Sequence, residues 1–244
     1  MRIRRLTPVS GDGLELYDKR GFGPASKTER LAPADVPSYL SGVPRITFLP
    51  VASPKLRPVP PRGSEWLHEV KFDGFRIQLH KSGDEVRLFS RSGKDFTERF
   101  PTIADAAAAL PVGAIIDGEI VACDETGKPD FYTLLLRRAS GVCVWCFDLL
   151  GFNKEDLRQL PLEDRKERLA SLLSNAGDGR LRLSESFYDA DKLLAAAAQM
   201  NLEGIVSKKR AAPYVAGVNR GWIKVKTREW REANRERYKL FEKA

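Results

Sequence analysis

Histidine and cysteine are scarce in this chain: two and three residues among 244. With only His68 and His80 available, neither a histidine-based catalytic triad nor a His-rich metal site can be assembled. Three cysteines are too few, and odd in number, for a disulfide framework, so the chain reads as cytoplasmic. Long apolar runs are also missing. Nothing approaches the roughly 20 residues that span a bilayer, which leaves no membrane partner to expect. The basic start, MRIRRLTPVSGDG, has no apolar stretch behind it and is not a secretory signal. A phosphate loop is absent too, because Gly23-Pro-Ala-Ser-Lys-Thr28 lacks both the upstream glycine and the glycine before its lysine. Cys143 and Cys146 are three apart on an apolar strand, where side chains alternate, so their thiols diverge and zinc is not expected.

Charge, by contrast, is abundant. The formal net charge is +8, a balance that suits a polyanion such as nucleic acid, although many basic soluble proteins bind none. Residues 1–44 are rich in Gly, Pro, Ser and charge without periodicity, and read as a disordered or loosely attached arm. Its basic residues Arg2, Arg4 and Arg5 suit a solvated tail or extra contacts to a DNA backbone. Residues 45–244 are the expected folded domain. It opens on a proline-dense, extended lead-in over 45–63. Alternation predicts strands at 75–79, 85–90 and 114–123, a buried strand at 141–150, and further strands at 202–208 and 222–226. Helical spacing predicts helices at 103–110, 162–173, 190–200 and 227–244, the last with Trp230, Tyr238 and Phe241 on one side. Strands and helices mix without a βαβ rhythm, so the expected class is α+β.

Four segments carry charge that a strand core does not need. The first is Glu69-Val-Lys-Phe-Asp-Gly-Phe-Arg76. A lysine amine is a nucleophile only when neutral, and nearby cations or burial favour that form. Taken alone, the segment is better read as a surface hairpin. The second, Ile116-Asp-Gly-Glu-Ile120, sets Glu119 among isoleucines, or marks an exposed strand face with a bulge at Gly118. The third, Leu202-Glu-Gly-Ile-Val-Ser-Lys-Lys209, offers Glu203 as an oxygen ligand for Mg²⁺, or is a strand end with a basic loop. The fourth, Gly221-Trp-Ile-Lys-Val-Lys226, puts Lys224 and Lys226 on one strand face with Ile223 and Val225 on the other. An anion between the two ammonium groups would relieve their repulsion, and both would depress the pKa of a third lysine nearby. The alternative is a basic outer face.

Taken in order, these segments resemble the nucleotidyltransferase (adenylation) domain of ATP-dependent DNA ligases, most closely the bacterial LigD type. Lys71-Phe-Asp-Gly-Phe-Arg76 is similar to the family's KxDGxR motif. Ser90-Arg-Ser-Gly-Lys-Asp-Phe-Thr97 resembles the stretch that follows it. Asp117-Gly-Glu119, Phe147-Asp148, Glu203-Gly-Ile-Val206 and Trp222-Ile-Lys-Val-Lys226 are similar to motifs III, IIIa, IV and V. One motif alone is weak, but the set in the right order, across residues 45–241, is specific. The resemblance implies two antiparallel sheets flanked by helices, with the nucleotide between them. It implies that Lys71 attacks the α-phosphorus of ATP and carries AMP, which then passes to the 5′-phosphate of nicked duplex DNA for sealing. Glu69 would hold the adenine edge and Phe147 would stack on the base. Arg76 and Glu119 would hold the ribose and orient the phosphates, and Lys224 and Lys226 would contact the α-phosphate. Glu203, with Glu119, would bind Mg²⁺ or Mn²⁺, and Arg91 would meet the 5′-phosphate of the nick. A Ku-type end-joining protein is the partner the family type suggests.

Family members continue into an OB-fold domain with motif VI. Here 18 residues follow Lys226 (244 − 226), too few for a five-stranded barrel. The expectation is therefore a minimal ligase, a ligase served by an OB-domain partner in trans, or a degenerate DNA-end-binding module. The other lysyl nucleotidyltransferases, RNA ligases and capping enzymes, share the mechanism and are the alternative within the enzyme class.

Overall fold

In the computed structural model, the residues described are 46–111, 113–122, 129–136, 141–174 and 179–235. Fifteen elements follow in order. The first six are β1 (Ala52–Leu56), β2 (Trp66–Lys71), β3 (Phe75–Ser82), β4 (Glu85–Ser90), α1 (Pro101–Ala108) and β5 (Ala114–Ala122). Next come α2 (Phe131–Leu135), β6 (Val142–Phe152), β7 (Glu155–Asp156), α3 (Leu162–Leu173) and β8 (Leu181–Leu183). The chain then forms α4 (Ala190–Gln199), β9 (Gly204–Lys209), β10 (Gly217–Lys226) and α5 (Arg228–Ala233).

The strands form two sheets. The first has the order β1-β10-β9-β2, and the second β4-β3-β5-β6-β7, with β8 also paired to β6. The expected α+β architecture of two helix-flanked sheets is borne out. The pairing is mainly antiparallel, but each sheet adds one parallel pair, β1 with β10 and β6 with β8.

Alternation along the strands sorts the layers. On β10, Val225 packs with Ile205 of β9 against Ala190, Leu193 and Ala197 of α4, and Ile223 borders that cluster. Trp222, Lys224 and Lys226 thereby face the other way, as their spacing predicted. On β6, Val144 and Cys146 enter the main core with Ile77, Ile116, Ile103 of α1 and Leu169 of α3. Trp145 and Phe147 face away from it. A third cluster, Leu49, Ala52, Leu150, Tyr214 and Trp222, ties the two sheets together at one end. Cys146 lies in the main core, and Cys143 is buried outside it.

Several boundaries moved for physical reasons. The first alanine-rich helix begins two residues early because Pro101 occupies its first turn, where no N–H is required. The proline-dense lead-in is extended, as read, but part of it pairs as β1. The final strand reaches back to Gly217. In the last helix Thr227 Oγ1 accepts the N–H of Trp230 at 3.3 Å. Tyr238 and Phe241, read on that helix, lie outside the described residues, as do the arm 1–44 and Gly23–Thr28. Helix α2 has no counterpart among the expected elements. Its five residues are too few for periodicity, although Asp130 caps it by accepting the Thr133 N–H at 3.0 Å.

The surface-hairpin reading of Glu69–Arg76 is corrected. β2 ends at Lys71 in one sheet and β3 begins at Phe75 in the other. The intervening residues form a crossing between sheets. Gly74 makes it feasible, because a Cβ there would lie 2.0 Å from the Ile120 carbonyl oxygen.

Candidate active site

Between the sheets lies a cleft of about 820 Å³, within the size range of small-ligand sites. Its lining brings together every residue the sequence pointed to: Glu69, Lys71, Arg76, Arg91, Glu119, Phe147, Glu203, Lys224 and Lys226.

Lys71 and Lys226 meet on one carboxylate. Their Nζ atoms each lie 2.9 Å from Glu203, on Oε2 and Oε1 respectively, and Glu203 is only 5% exposed. Gly204 allows this, since a Cβ there would lie 2.0 Å from the Val225 carbonyl oxygen, and its φ is +152°. The expectation that neighbouring cations keep Lys71 neutral does not hold in this arrangement. Burial favours the neutral amine, but Glu203, Glu119 and Asp73 outweigh it and raise the pKa above the ordinary lysine value. Of the motif lysines it is Lys224 whose pKa is depressed, through burial and then Lys71, Lys226 and Arg91. Arg91 stands exposed at the rim, 3.3 Å from Ser53 Oγ.

On the opposite sheet, Arg76 and Glu119 are paired in register. Arg76 donates to Asp117 through Nε at 2.9 Å and Nη2 at 2.6 Å, and to the Ala52 carbonyl and Tyr214 hydroxyl. Four of its five N–H groups are thus committed, and its plane is turned to the rings of Phe147 and Trp222 at 5.3 and 5.8 Å. The Glu119 side chain forms no hydrogen bond or ion pair with a described residue. Burial, opposed by Lys71 and Arg76, pushes its carboxyl up to about 7.

Two lysines escaped the sequence reading. Lys208, 2% exposed, donates to Glu69 Oε2 at 3.0 Å and the Phe147 carbonyl at 3.3 Å. Its Nζ sits 4.5 Å from the Phe147 centroid and 4.4 Å from that of Trp222. Burial, with Lys166 adding to it against Glu69, brings it down to about 8. Lys166 of α3 donates to Glu69 Oε1 at 2.9 Å and the Ser184 carbonyl at 2.7 Å, and Ser184 Oγ donates to Glu69 Oε2 at 3.0 Å. Burial alone would raise the Glu69 carboxyl, but the two lysines hold it below its ordinary value. The signals were present: Lys166 lies four residues from Leu162 and three from Leu169, on the apolar stripe, and Lys208 shares a strand face with Val206. Beside Phe147, Asp148 is locked by Arg165 through Nε at 2.7 Å and Nη2 at 2.9 Å, with both side chains at 0% exposure.

The donor set fits a hard divalent cation. Glu119 and Glu203 flank Lys71, and Glu119 has an unengaged carboxyl. No cluster of three or more His, Cys, Asp or Glu side chains forms a metal site among the described residues. Magnesium is held in this way, by one or two carboxylates plus substrate phosphates. The cleft can therefore receive a phosphorylated ligand: cationic on one wall, aromatic at its floor, and with an amine beside the anion pocket.

Residues 59–226 match the family model for the ATP dependent DNA ligase domain, and the chain belongs to that family. The Multifunctional non-homologous end joining protein LigD of Pseudomonas aeruginosa is 39% identical over 173 residues, covering 68% of this chain and 20% of that protein. The crystal structure of the ligase domain from M. tuberculosis LigD superposes with a TM-score of 0.64 at 30% identity, covering 72% of this chain and 59% of that one. A mycobacterial DNA ligase D complexed with ATP and MES gives 0.61 at 28% identity, covering 71% and 60%. The chain thus spans from a fifth to three fifths of these relatives. No helix among the described residues is long and apolar enough to cross a membrane.

Proposed function

We propose that residues 45–244 are the adenylating domain of a DNA-sealing ligase and that Lys71 is its nucleophile. The observation that carries this reading is the meeting of Lys71 and Lys226 on Glu203, at the sheet crossing, beside Lys224. Lys71, which its carboxylates hold protonated, first gives up one proton to solvent; the neutral amine then attacks the α-phosphorus of ATP, forming a phosphoramidate to AMP as the bond to pyrophosphate breaks. A second proton from Lys71 leaves to solvent or a neighbouring carboxylate. AMP then passes to the 5′-phosphate of a nick, and the 3′-hydroxyl displaces it.

Such transfer depends mostly on position and charge neutralisation. Lys224 and Lys226 hold the α-phosphate. Phe147 stacks on the adenine, whose edge meets Glu69 and Lys208. Arg76, fixed by Asp117, shapes the ribose wall with Glu119, and Arg91 takes the 5′-phosphate of the DNA. Glu203 and Glu119 would hold Mg²⁺ or Mn²⁺, which supplies charge neutralisation at the phosphates. Nicked duplex DNA is the proposed substrate. A Ku-type end-joining protein is the proposed partner, in cytoplasmic DNA repair and recombination.

The test is incubation with α-labelled ATP and Mg²⁺. A covalent adduct is expected in the wild type and not in Lys71→Ala, and no wild-type adduct would sink the reading. Parallel reactions with GTP and with nicked RNA separate the capping and RNA-ligase alternatives.

A further inference from the structure

Phe72, the residue after the nucleophile, lies flat on Trp145 of β6. Their ring centroids are 4.5 Å apart and the planes differ by 9°. Neither ring belongs to any of the three apolar clusters, although Val144 and Cys146, on either side of Trp145, both enter the main core. The pair therefore stands on the cleft side of the sheet. Trp145 is also the register partner of Glu119 across β5 and β6, and of Arg182 across β6 and β8. The Arg182 guanidinium lies 5.7 Å from the indole centroid. The indole Nε1 is shut away from solvent and finds no hydrogen-bond partner among the described residues. A buried N–H is normally satisfied. The indole is thus used here for its face and not for its donor.

The place of this stack matters because of what it holds. Residues 71–74 cross from one sheet to the other, and Lys71 sits at the start of the crossing. Gly74 packs against the Ile120 carbonyl at the far end. Between these ends, Phe72 is clamped to the second sheet through Trp145. Removing either ring would free the crossing without touching Phe147, Lys208 or Lys224. We infer that the Phe72–Trp145 stack is a positioning device, which fixes the crossing so that the Lys71 amine meets the α-phosphorus in line. The inference rests on the proposed adenylation chemistry.

Misplacing a reacting group by about 1 Å costs roughly 100-fold in rate. The test is rapid-quench labelling with α-labelled ATP and Mg²⁺, giving the first-order adduct rate at saturating ATP and the ATP concentration for half-saturation. Phe72→Ala and Trp145→Ala should each lower the saturated rate by roughly 10- to 100-fold while half-saturation changes by less than about two-fold. Trp145→Phe should keep most of the rate, because it retains a stacking face and discards only the unpartnered N–H. The double alanine variant should be no slower than the slower single variant. Phe72→Leu keeps apolar bulk at a half-buried position without a flat ring, so it should fold normally and still be slow; thermal melts check the folding. Wild-type rates in Phe72→Leu or the alanine variants, an equal loss in Trp145→Phe, or a loss confined to half-saturation overturns the inference alone. A wild type that forms no adduct overturns the adenylation reading and this inference with it.

Discussion

Replacing Arg165 by methionine should be among the most damaging single changes outside the cleft. Both Arg165 and Asp148 are fully buried, and the guanidinium also donates to the carbonyls of Leu160 at 2.6 Å and Ala212 at 3.1 Å. Methionine fills much of the volume but leaves the Asp148 carboxylate buried and unpaired. Breaking such a pair from one side costs about 3–5 kcal/mol, against a typical total stability of roughly 5–15 kcal/mol. With a urea slope of about 2 kcal/mol per molar, the unfolding midpoint should fall by roughly 1.5–2.5 M. Urea titrations followed by tryptophan fluorescence will show this, since Trp222 packs edge-on to Phe147, next to Asp148, at 6.1 Å. Pairing the change with Asp148→Leu removes the stranded charge, so the double variant should regain at least half of the loss. A midpoint shift under about 0.5 M for Arg165→Met, or a double variant at the sum of the two single losses, would refute the reasoning.

Gly74→Ala places a Cβ 2.0 Å from the Ile120 carbonyl oxygen, backbone against backbone, so the crossing must shift. The adduct rate should drop roughly 100-fold, and an unchanged rate in the labelling assay would show that the crossing yields freely. The Glu119 carboxyl rises from 4.5 unfolded to about 7 folded, so between those values the native protein binds more protons and stability falls as pH rises. Glu119→Gln should flatten that fall when urea midpoints at about pH 5 and about pH 7 are compared; equal slopes in both proteins would count against it.

Much of the fold was legible wherever periodicity acts over enough residues. Helix α3 runs from Leu162 to Leu173, as its leucine spacing predicted, and β10 turns Lys224 and Lys226 to the cleft while Val225 meets α4. The candidate nucleophile, the two glutamates and the lysine pair were readable because charge interrupts apolar strands at those points. What escaped depends on distance in sequence. Nothing local in Glu69–Arg76 distinguishes a hairpin from a crossing, since that choice is made by β9 pairing with β2 and β5 pairing with β3. Glu69 looked free to meet a ligand because its two lysines come from positions 166 and 208. The charge state of Lys71 is hidden for the same reason: it is set by three carboxylates, of which Glu119 and Glu203 come from distant positions in the chain.

The crossing at Lys71 has a mechanical corollary. When two rigid plates rotate about a shared joint, points on the joint stay put, and points far from it sweep an arc proportional to their distance. A nucleophile at the joint keeps its place while the plates rock. Rim groups such as Arg91 travel further. Small opening motions of this molecule would therefore change the gap at the rim, where the proposed DNA substrate would enter, before they disturb the amine on which a nucleotide would be carried.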